Sequence, residues 1–348
     1  MARTDAPHVL ARRHPMAERA ATLRDVAERS GVAVSTASRA LTKPGRVSEA
    51  TAQRVLDAAR ELGYSASAAG RALSSGRTWT VALVVPDIAN PFFFGVIRGT
   101  QSRLREGGYA HVLVDTEESV EAEERTLRSF RRSVDGVILA ASRLDDESLV
   151  AWSADVPMVT LNRAFPALTC PSVVIDTPGG AVQALEHLTS LGHRRIAYAG
   201  GPRTSWSDGR RRAALTSAAD RLGVEVVVLG PYAPQREAGS AAADAVVQSG
   251  VTAVLAFNDL LAFGILERLE SRGVRVPDEV SVVGCDDVFG ADLVRPSLTT
   301  VRAPLEKAGH HAADLLLASL DPVHPRIGAP VELPTHLVVR ESSGPARS

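Results

Sequence analysis

Four side chains near the amino-terminal end of this 348-residue sequence share one surface of a segment with helical periodicity, because their spacing is i, i+1, i+4 and i+5. They are Val34, Ser35, Ser38 and Arg39. An arginine can donate two hydrogen bonds to O6 and N7 of guanine, and a valine methyl can contact the methyl group of thymine. The residue types and their spacing therefore suit a helix that enters the major groove of DNA.

The surrounding elements fit a helix-turn-helix unit. Short helices are predicted over Leu23–Arg29, Val34–Leu41 and Thr51–Leu62. Thr22 can cap the first helix, and Gly31 suits the turn after it, since glycine adopts a left-handed conformation without steric cost. The same three helices could instead form a generic bundle, so this pattern alone leaves both interpretations open.

A second set of polar side chains follows predicted strands further along the chain. Asn90 follows the first strand, Asn162 and Arg163 follow the fourth, Asn258 follows the eighth and Asp286 follows the ninth. Ligands of doubly wound folds bind in the crevice at the carboxyl ends of the strands. By position alone, however, helix caps or turns are the favoured interpretation of these residues.

Those strands belong to a long region in which short apolar segments alternate with amphipathic helices. Strands are predicted at residues 81–85, 111–114, 136–139, 158–161, 173–175, 196–199, 226–229, 253–256 and 281–283. This alternation predicts parallel sheets, and nine strands indicate two of them. We therefore expect an α/β body of two doubly wound lobes, preceded by an all-α helix-turn-helix domain.

Composition and charge narrow the class of protein. With 45% apolar and 23% charged residues, no apolar run of 18 residues and no apolar signal region, the sequence predicts a globular cytoplasmic protein without membrane contact. The two cysteines, Cys170 and Cys285, lack metal-ligand spacing, so we expect no disulfide and no metal site. The net charge of −1 is a sum of +6 in residues 1–77 and −7 in the remainder, which indicates a basic module joined to an acidic body.

Catalytic motifs are missing from the places where enzymes of this fold class carry them. The first strand is followed by PDIANPFF rather than G-x-G-x-x-G, and the sequence contains neither G-x-S-x-G nor H-E-x-x-H. We therefore expect no enzymatic activity and no cofactor.

The segment TLRDVAERSGVAVSTASRAL (residues 22–41) resembles the DNA-binding headpiece of the lactose-repressor (LacI/GalR) family. The resemblance continues through VSEAT (47–51), RVLDAARELGY (54–64), VALVVPDIANPFF (81–93), DGVIL (135–139), LGHRRIAY (191–198), VVGCDD (282–287) and PSLTTV (296–301). These motifs occur in the family's order over roughly residues 22–340.

The resemblance implies how DNA is read. The main contacts to bases would come from Val34, Ser35 and Arg39. The DNA backbone would be held in part by Thr36 and Ser38. Residues 67–73 match the hinge helix, in which Leu73 matches a leucine that wedges into the minor groove at the centre of a palindrome. The predicted DNA contacts are Thr22, Val34, Ser35, Thr36, Ser38, Arg39 and Leu73.

The resemblance also implies a periplasmic-binding-protein-like body whose cavity binds a small-molecule effector. Asp286 and Asn258 match positions that bind effector hydroxyls, Ser205 matches another cavity position, and Arg211 matches the arginine that holds the effector. Carboxylate, amide and guanidinium groups beside an aromatic wall suit a sugar. The predicted effector contacts are Asn90, Phe92, Phe93, Asn162, Arg163, Ser205, Arg211, Asn258 and Asp286.

The expected organisation has five parts: a basic tail (1–20), a helix-turn-helix headpiece (21–64), a hinge (65–78), an effector-binding and dimerisation body (79–340) and a carboxyl-terminal tail (341–348). The expected function is a transcriptional repressor that binds a palindromic double-stranded DNA operator as a homodimer or a tetramer and responds to a sugar or sugar derivative. The alternative is the solute-binding protein of a sugar transporter, which shares the two-lobed fold but requires a secretory signal and has no use for a headpiece.

Overall fold

The computed structural model describes residues 21–42, 45–64, 77–321 and 330–347. The chain divides into two compact units between Thr78 and Trp79. The predicted basic tail and most of the predicted hinge, including Leu73, lie outside the described residues.

The first unit has three helices: α1 (Leu23–Ser30), α2 (Val34–Thr42) and α3 (Glu49–Glu61). Thr22 and Asp25 cap α1 reciprocally, because Oγ1 of Thr22 accepts from the Asp25 amide at 3.3 Å and the Asp25 carboxylate accepts from the Thr22 amide at 2.7 Å. Gly31 ends α1 in the left-handed conformation at a φ of 68°. A small apolar core joins the helices: Val26, Ala27, Ala37, Val55, Ala58 and Ala59. The helix-turn-helix prediction describes this unit, with each helix boundary within two residues.

The second unit contains twelve strands and eight further α-helices among its described residues. The strands are β1 (Thr80–Val85), β2 (Ala110–Asp115), β3 (Gly136–Ala140), β4 (Met158–Leu161), β5 (Ser172–Ile175), β6 (Arg195–Ala199), β7 (Glu225–Leu229), β8 (Ala253–Ala256), β9 (Ser281–Asp286), β10 (Thr299–Arg302), β11 (Val331–Leu333) and β12 (His336–Val338). The helices are α4 (Phe92–Glu106), α5 (Val120–Phe130), α6 (Asp146–Asp155), α7 (Thr177–Ser190), α8 (Trp206–Leu222), α9 (Gly239–Ser249), α10 (Asp259–Ser271) and α11 (Leu305–Ser319).

These elements form two lobes, each built on a six-stranded sheet. The strand order is β11-β5-β4-β3-β1-β2 in the first lobe and β12-β10-β9-β8-β6-β7 in the second. Every pairing is parallel except that of β10 with β12. Helices cover both faces of each sheet, so that alternate residues of β1 point into two different apolar cores. The predicted α/β body of two doubly wound lobes is confirmed.

The chain passes between the lobes three times: after β5, after β10 and after β11. The second passage returns α11 to the first lobe, where it packs on α4. Glycines permit this approach, because a side chain at Gly99 would overlap the backbone oxygen of Glu306 and one at Gly309 would overlap that of Val96. The first lobe is thus assembled from chain segments on both sides of the second.

Two sequence predictions differ from the structure at the carboxyl-terminal end. Strands β10, β11 and β12 were not among the nine predicted, and residues 341–347 are packed into the second lobe rather than forming a tail. Ser342 is buried and its hydroxyl donates to the Val282 carbonyl at 2.6 Å, while the Ala346 amide donates to the Leu191 carbonyl at 2.8 Å. Serine, glycine and proline make this segment look like a tail, but its polar groups pair with the backbone of the lobe.

Candidate functional site

The first unit presents one continuous polar surface on α2. Val34 is 44% exposed, and Ser35 and Arg39 are also exposed, whereas Thr36 and Ser38 are half-buried. Nε of Arg39 donates to the Ser35 carbonyl at 3.0 Å, which orients the guanidinium along this surface. Five of the predicted DNA contacts therefore lie on one helix.

Thr22 does not belong to α2 but precedes α1, at the amino-terminal end of that helix. Its hydroxyl takes part in the capping interactions with Asp25, so its side chain has a structural role in this unit. Its role as a DNA contact stays a prediction.

In the second unit, eight of the nine predicted effector contacts line one cavity between the lobes. Ligands of doubly wound folds bind in crevices of this kind, at the carboxyl ends of the strands. The cavity is lined by Pro86, Asn90, Phe92, Phe93, Glu118, Ala141, Arg143, Asn162, Thr177, Ser205, Ser207, Arg211, Pro234, Phe257, Asn258 and Asp286. Each lobe contributes half of these residues, mostly from loops at the carboxyl ends of its strands.

The amides in the wall are also structural groups. Oδ1 of Asn90 accepts from the Phe92 amide at 3.0 Å, and Oδ1 of Asn162 accepts from the Ile175 amide at 2.9 Å. Asn258 caps α10 by accepting from the Leu261 amide at 2.9 Å, and its Nδ2 donates to the Pro234 carbonyl at 3.0 Å. These three residues need not be either structural or cavity residues, because Asn90 and Asn258 stabilise their own turn or helix start, Asn162 is bonded to β5, and all three line the cavity.

Arg211 and Asp286 are charged side chains buried in the wall of the second lobe. The guanidinium of Arg211 lies 4.6 Å above the centre of the Phe257 ring and donates through Nη1 to the Phe257 carbonyl. Among the described residues, its Nε has no hydrogen-bond acceptor. Asp286 has a φ of 122°, and burial together with the nearby charge of Asp259 raises its pKa well above the ordinary value, against the opposing effect of Arg211.

Asp259 is a carboxylate fixed behind the cavity wall. Its Oδ1 accepts from the Thr300 hydroxyl at 2.5 Å and its Oδ2 accepts from the Val288 amide at 2.9 Å. Complete burial raises the pKa of Asp259 to about 7, although both hydrogen bonds act in the opposite direction. These contacts hold the loop that follows Asp286.

Arg163 is the predicted effector contact that the structure places elsewhere. Its Nη2 donates to Oδ1 of Asp146 at 2.6 Å and to the Leu144 carbonyl at 3.0 Å, and its guanidinium stacks 5.7 Å from the centre of the Phe165 ring. These contacts tie the side chain to the first lobe, and Arg163 also lines a neighbouring cavity with Ser205 and other residues between 203 and 210 of the second lobe. Its role as an effector contact stays a prediction.

The sequence analysis missed three prominent cavity residues: Glu118, Arg143 and Phe257. Glu118 and Arg143 form a two-point ion pair, with Nε to Oε2 at 2.5 Å and Nη2 to Oε1 at 3.0 Å. They follow β2 and β3, so the rule that selected residues after other strands would also have found these two. Phe257 directly precedes Asn258 and could have been found in the same way.

Neither a metal-binding cluster nor a membrane-spanning helix occurs in the described part of the chain. No group of three or more histidine, cysteine, aspartate or glutamate side chains there could hold a metal ion. No helix there is long and apolar enough to cross a bilayer.

Comparison with known proteins relates both units to one family. The sequence profile described as "Bacterial regulatory proteins, lacI family" matches residues 22–67, and that of a "Periplasmic binding protein-like domain" matches residues 185–343. The HTH-type transcriptional repressor CytR of Escherichia coli (strain K12) is 32% identical over 334 residues, which cover 94% of this chain and 97% of CytR.

Solved structures show the same likeness. The transcriptional regulator CelR in complex with cellobiose is 33% identical, with a TM-score of 0.69 over 92% of this chain and 99% of CelR. The lac repressor dimer bound to operator and the anti-inducer ONPF is 26% identical, with a TM-score of 0.83 over 94% of this chain and 100% of that repressor chain.

Proposed function

Because the chain belongs to the LacI family of bacterial regulatory proteins, we propose that it represses transcription by binding a palindromic operator as a homodimer, under control of a small sugar or sugar derivative. We further propose that it acts in the cytoplasm. The helix-turn-helix unit favours this function over that of a transporter's solute-binding protein, which does not bind DNA.

The observation that carries the effector proposal is the convergence of eight predicted side chains on one cavity between the lobes. Arg211 offers a donor without a partner among the described residues, Asp286 offers a carboxyl group, and the phenylalanine rings offer an apolar wall. Hydrogen-bonding groups around an aromatic surface match the alternating hydroxyl and C–H surfaces of a sugar ring. The cellobiose complex of CelR supports the same ligand class.

Control would operate through the two lobes. An effector that binds one arrangement of the lobes more tightly than another shifts the population toward that arrangement. In a two-fold dimer the shift would alter the separation of the two headpieces, which must reach half-sites about 34–36 Å apart. The lac repressor dimer bound to its operator supports this assembly.

Footprinting and calorimetry on the full chain test the proposal. We expect protection of a palindrome upstream of the regulated genes and binding of a neutral sugar that changes operator affinity. Absence of sequence-specific DNA binding would overturn the repressor assignment. Tight binding of a purine or an amino acid, with no sugar bound, would overturn the effector class. Sedimentation analysis distinguishes a dimer from a tetramer.

A further inference from the structure

The ion pair of Glu118 and Arg143 lies in the wall of the effector cavity, where it controls the charge that a ligand meets. The Arg143 side chain is 6% exposed and that of Glu118 is 23% exposed. Guanidinium groups in cavity walls are the usual partners of phosphate and carboxylate groups, which they bind through two parallel hydrogen bonds. In this chain the two donors of Arg143 that could bind such a group, Nε and Nη2, are already bonded to the carboxylate of Glu118.

Arg143 is held in place from several directions. Its Nη1 donates to the Ala141 carbonyl at 2.8 Å, and its backbone amide donates to Oε2 of the buried Glu123 at 2.9 Å. Glu123 also accepts from the hydroxyl of Ser142. The loop after β3 is therefore anchored independently of Glu118, so that removing Glu118 would leave the guanidinium where it is.

Glu118 is held in a backbone conformation that side chains rarely adopt. Glu117 and Glu118 have φ values of 51° and 59°, and the Glu118 amide donates to the Pro86 carbonyl at 2.7 Å. Strained residues of this kind cluster at ligand clamps, where the surrounding structure maintains them. The turn thus directs one particular carboxylate toward Arg143.

Glu118 also lines a second, outer cavity, formed mainly by residues 202–204 and 231–235 of the second lobe. A ligand in either cavity therefore lies near the same carboxylate. A negatively charged ligand would be repelled by Glu118 and could pair with Arg143 only by displacing it, whereas a neutral hydroxyl could donate a hydrogen bond to the Glu118 oxygens.

We propose that Glu118 is a specificity-determining residue, which makes the effector cavity select neutral sugars over phosphorylated or carboxylated ones by occupying the guanidinium of Arg143. This inference rests on the proposed function, because it concerns the effector of the same cavity. It adds that Arg143, despite its position, is not an anion-binding group in the native chain.

The test substitutes Glu118→Gln, which retains the shape and removes the charge. Inorganic phosphate is titrated into the full chain by calorimetry, against chloride at equal ionic strength. Glu118→Gln should bind phosphate about tenfold or more tightly than the wild type, because the buried guanidinium then lacks a charged partner. The double variant Glu118→Gln/Arg143→Gln should lose that gain. A panel of neutral sugars, each with its uronate and its 6-phosphate, should show the same change of preference.

Equal phosphate affinity in the wild type and Glu118→Gln, or a gain that persists in the double variant, would overturn the proposal. Glu118→Ser is the second variant, since it frees the guanidinium with a smaller side chain. Failure of both single variants to fold would also contradict it, because the pair would then be required for stability rather than for selection. Phosphate binding is measured without DNA, so these outcomes are distinct from a wild-type chain that binds no operator.

Discussion

The arginines of this protein differ in how many of their hydrogen-bond donors are already bonded to other groups of the protein. Arg39 is exposed and its Nε donates to the Ser35 carbonyl of its own helix, whereas Arg143 donates from Nε, Nη1 and Nη2, and Arg211 is buried against Phe257. An exposed arginine can adapt to a base edge, while a buried one presents a fixed group to a small ligand. The two arrangements suit the two sites proposed.

Replacing Arg39 with alanine should weaken specific operator binding by about 1–3 kcal/mol, because a base contact through two hydrogen bonds is lost. Arg60→Ala is the matched control, since it removes the same charge from the far end of α3, where Arg60 pairs with Asp57 at 2.7 Å. Gel-shift titrations with operator and with random DNA separate the effects. Equal losses for the two variants would contradict a base-reading role for Arg39.

Asp259 should make stability depend on pH. Its pKa is raised to about 7 in the folded chain from an ordinary value of 3.8, so the folded state holds its proton more tightly than the unfolded state. The resulting stability is fully present below about pH 4 and is lost as the pH rises through about 7, with an upper limit of about 4 kcal/mol.

Asp259→Asn cannot titrate and also removes the charge that raises the pKa of Asp286. The difference in free energy of unfolding between pH 5 and pH 8 should therefore be smaller in this variant than in the wild type. Urea denaturation followed by tryptophan fluorescence measures it. Parallel pH profiles for the two proteins would refute this explanation.

Among individual residues, the sequence predicted those whose location is determined by the end of the strand that they follow. Asn90, Asn162, Asn258 and Asp286 were found because a parallel sheet brings the ends of its strands to one edge. The direction of Arg163, which follows the same strand as Asn162, depends instead on Asp146, to which it is bound within the lobe. The pairing of Glu118 with Arg143 likewise depends on how two loops approach each other.

Among the secondary-structure elements, α4 and α11 make a contact that leaves no room for an added side chain. The helices meet where Gly99 faces the backbone of Glu306, so that no side chain fits between them. Such contacts determine the distance between helix axes, and any added atom must move backbone.

Gly99→Ala should therefore destabilise the second unit by about 1–3 kcal/mol, although alanine is otherwise the better helix former. The control is Gly209→Ala in α8, where an added Cβ would have no neighbour within 4 Å. That substitution should be neutral or stabilise by up to about 1 kcal/mol. Urea midpoints that shift equally in both variants would contradict the close-contact explanation.

The sequence predicted nine of the twelve strands in the described residues and missed the other three. Seven of the nine predicted strands are buried apolar runs, and the edge strands β2 and β7 are also rich in apolar residues although partly exposed, so all nine are visible in the sequence. Strand β10 (TTVR) contains a single apolar residue, whereas β11 and β12 have only three residues each, and β11 pairs with the distant strand β5. Nothing in so short a segment distinguishes a strand from a loop, because its conformation is stabilised by the partner strand.

For the molecule as a whole, coupling between effector and operator is reciprocal: an effector that lowers operator affinity must itself bind less tightly when operator is present. Arg211 lines the effector cavity and belongs to the second unit, so Arg211→Gln should abolish the sugar response while operator affinity without sugar stays within about twofold of wild type. Fluorescence anisotropy with labelled operator, with and without sugar, measures both quantities. A large change in operator affinity without sugar would show that Arg211 affects the DNA-binding state directly.

The three passages between the lobes have a consequence for synthesis on the ribosome. A nascent chain that has reached residue 175 contains five consecutive strands of the first lobe, yet α4 still lacks α11 and β5 still lacks β11. The second lobe likewise waits for β12 and for Ser342. Neither lobe can be completed until nearly the whole chain has emerged, so apolar surface stays uncovered throughout translation. We therefore expect nascent-chain chaperones to bind this protein while both lobes are still incomplete.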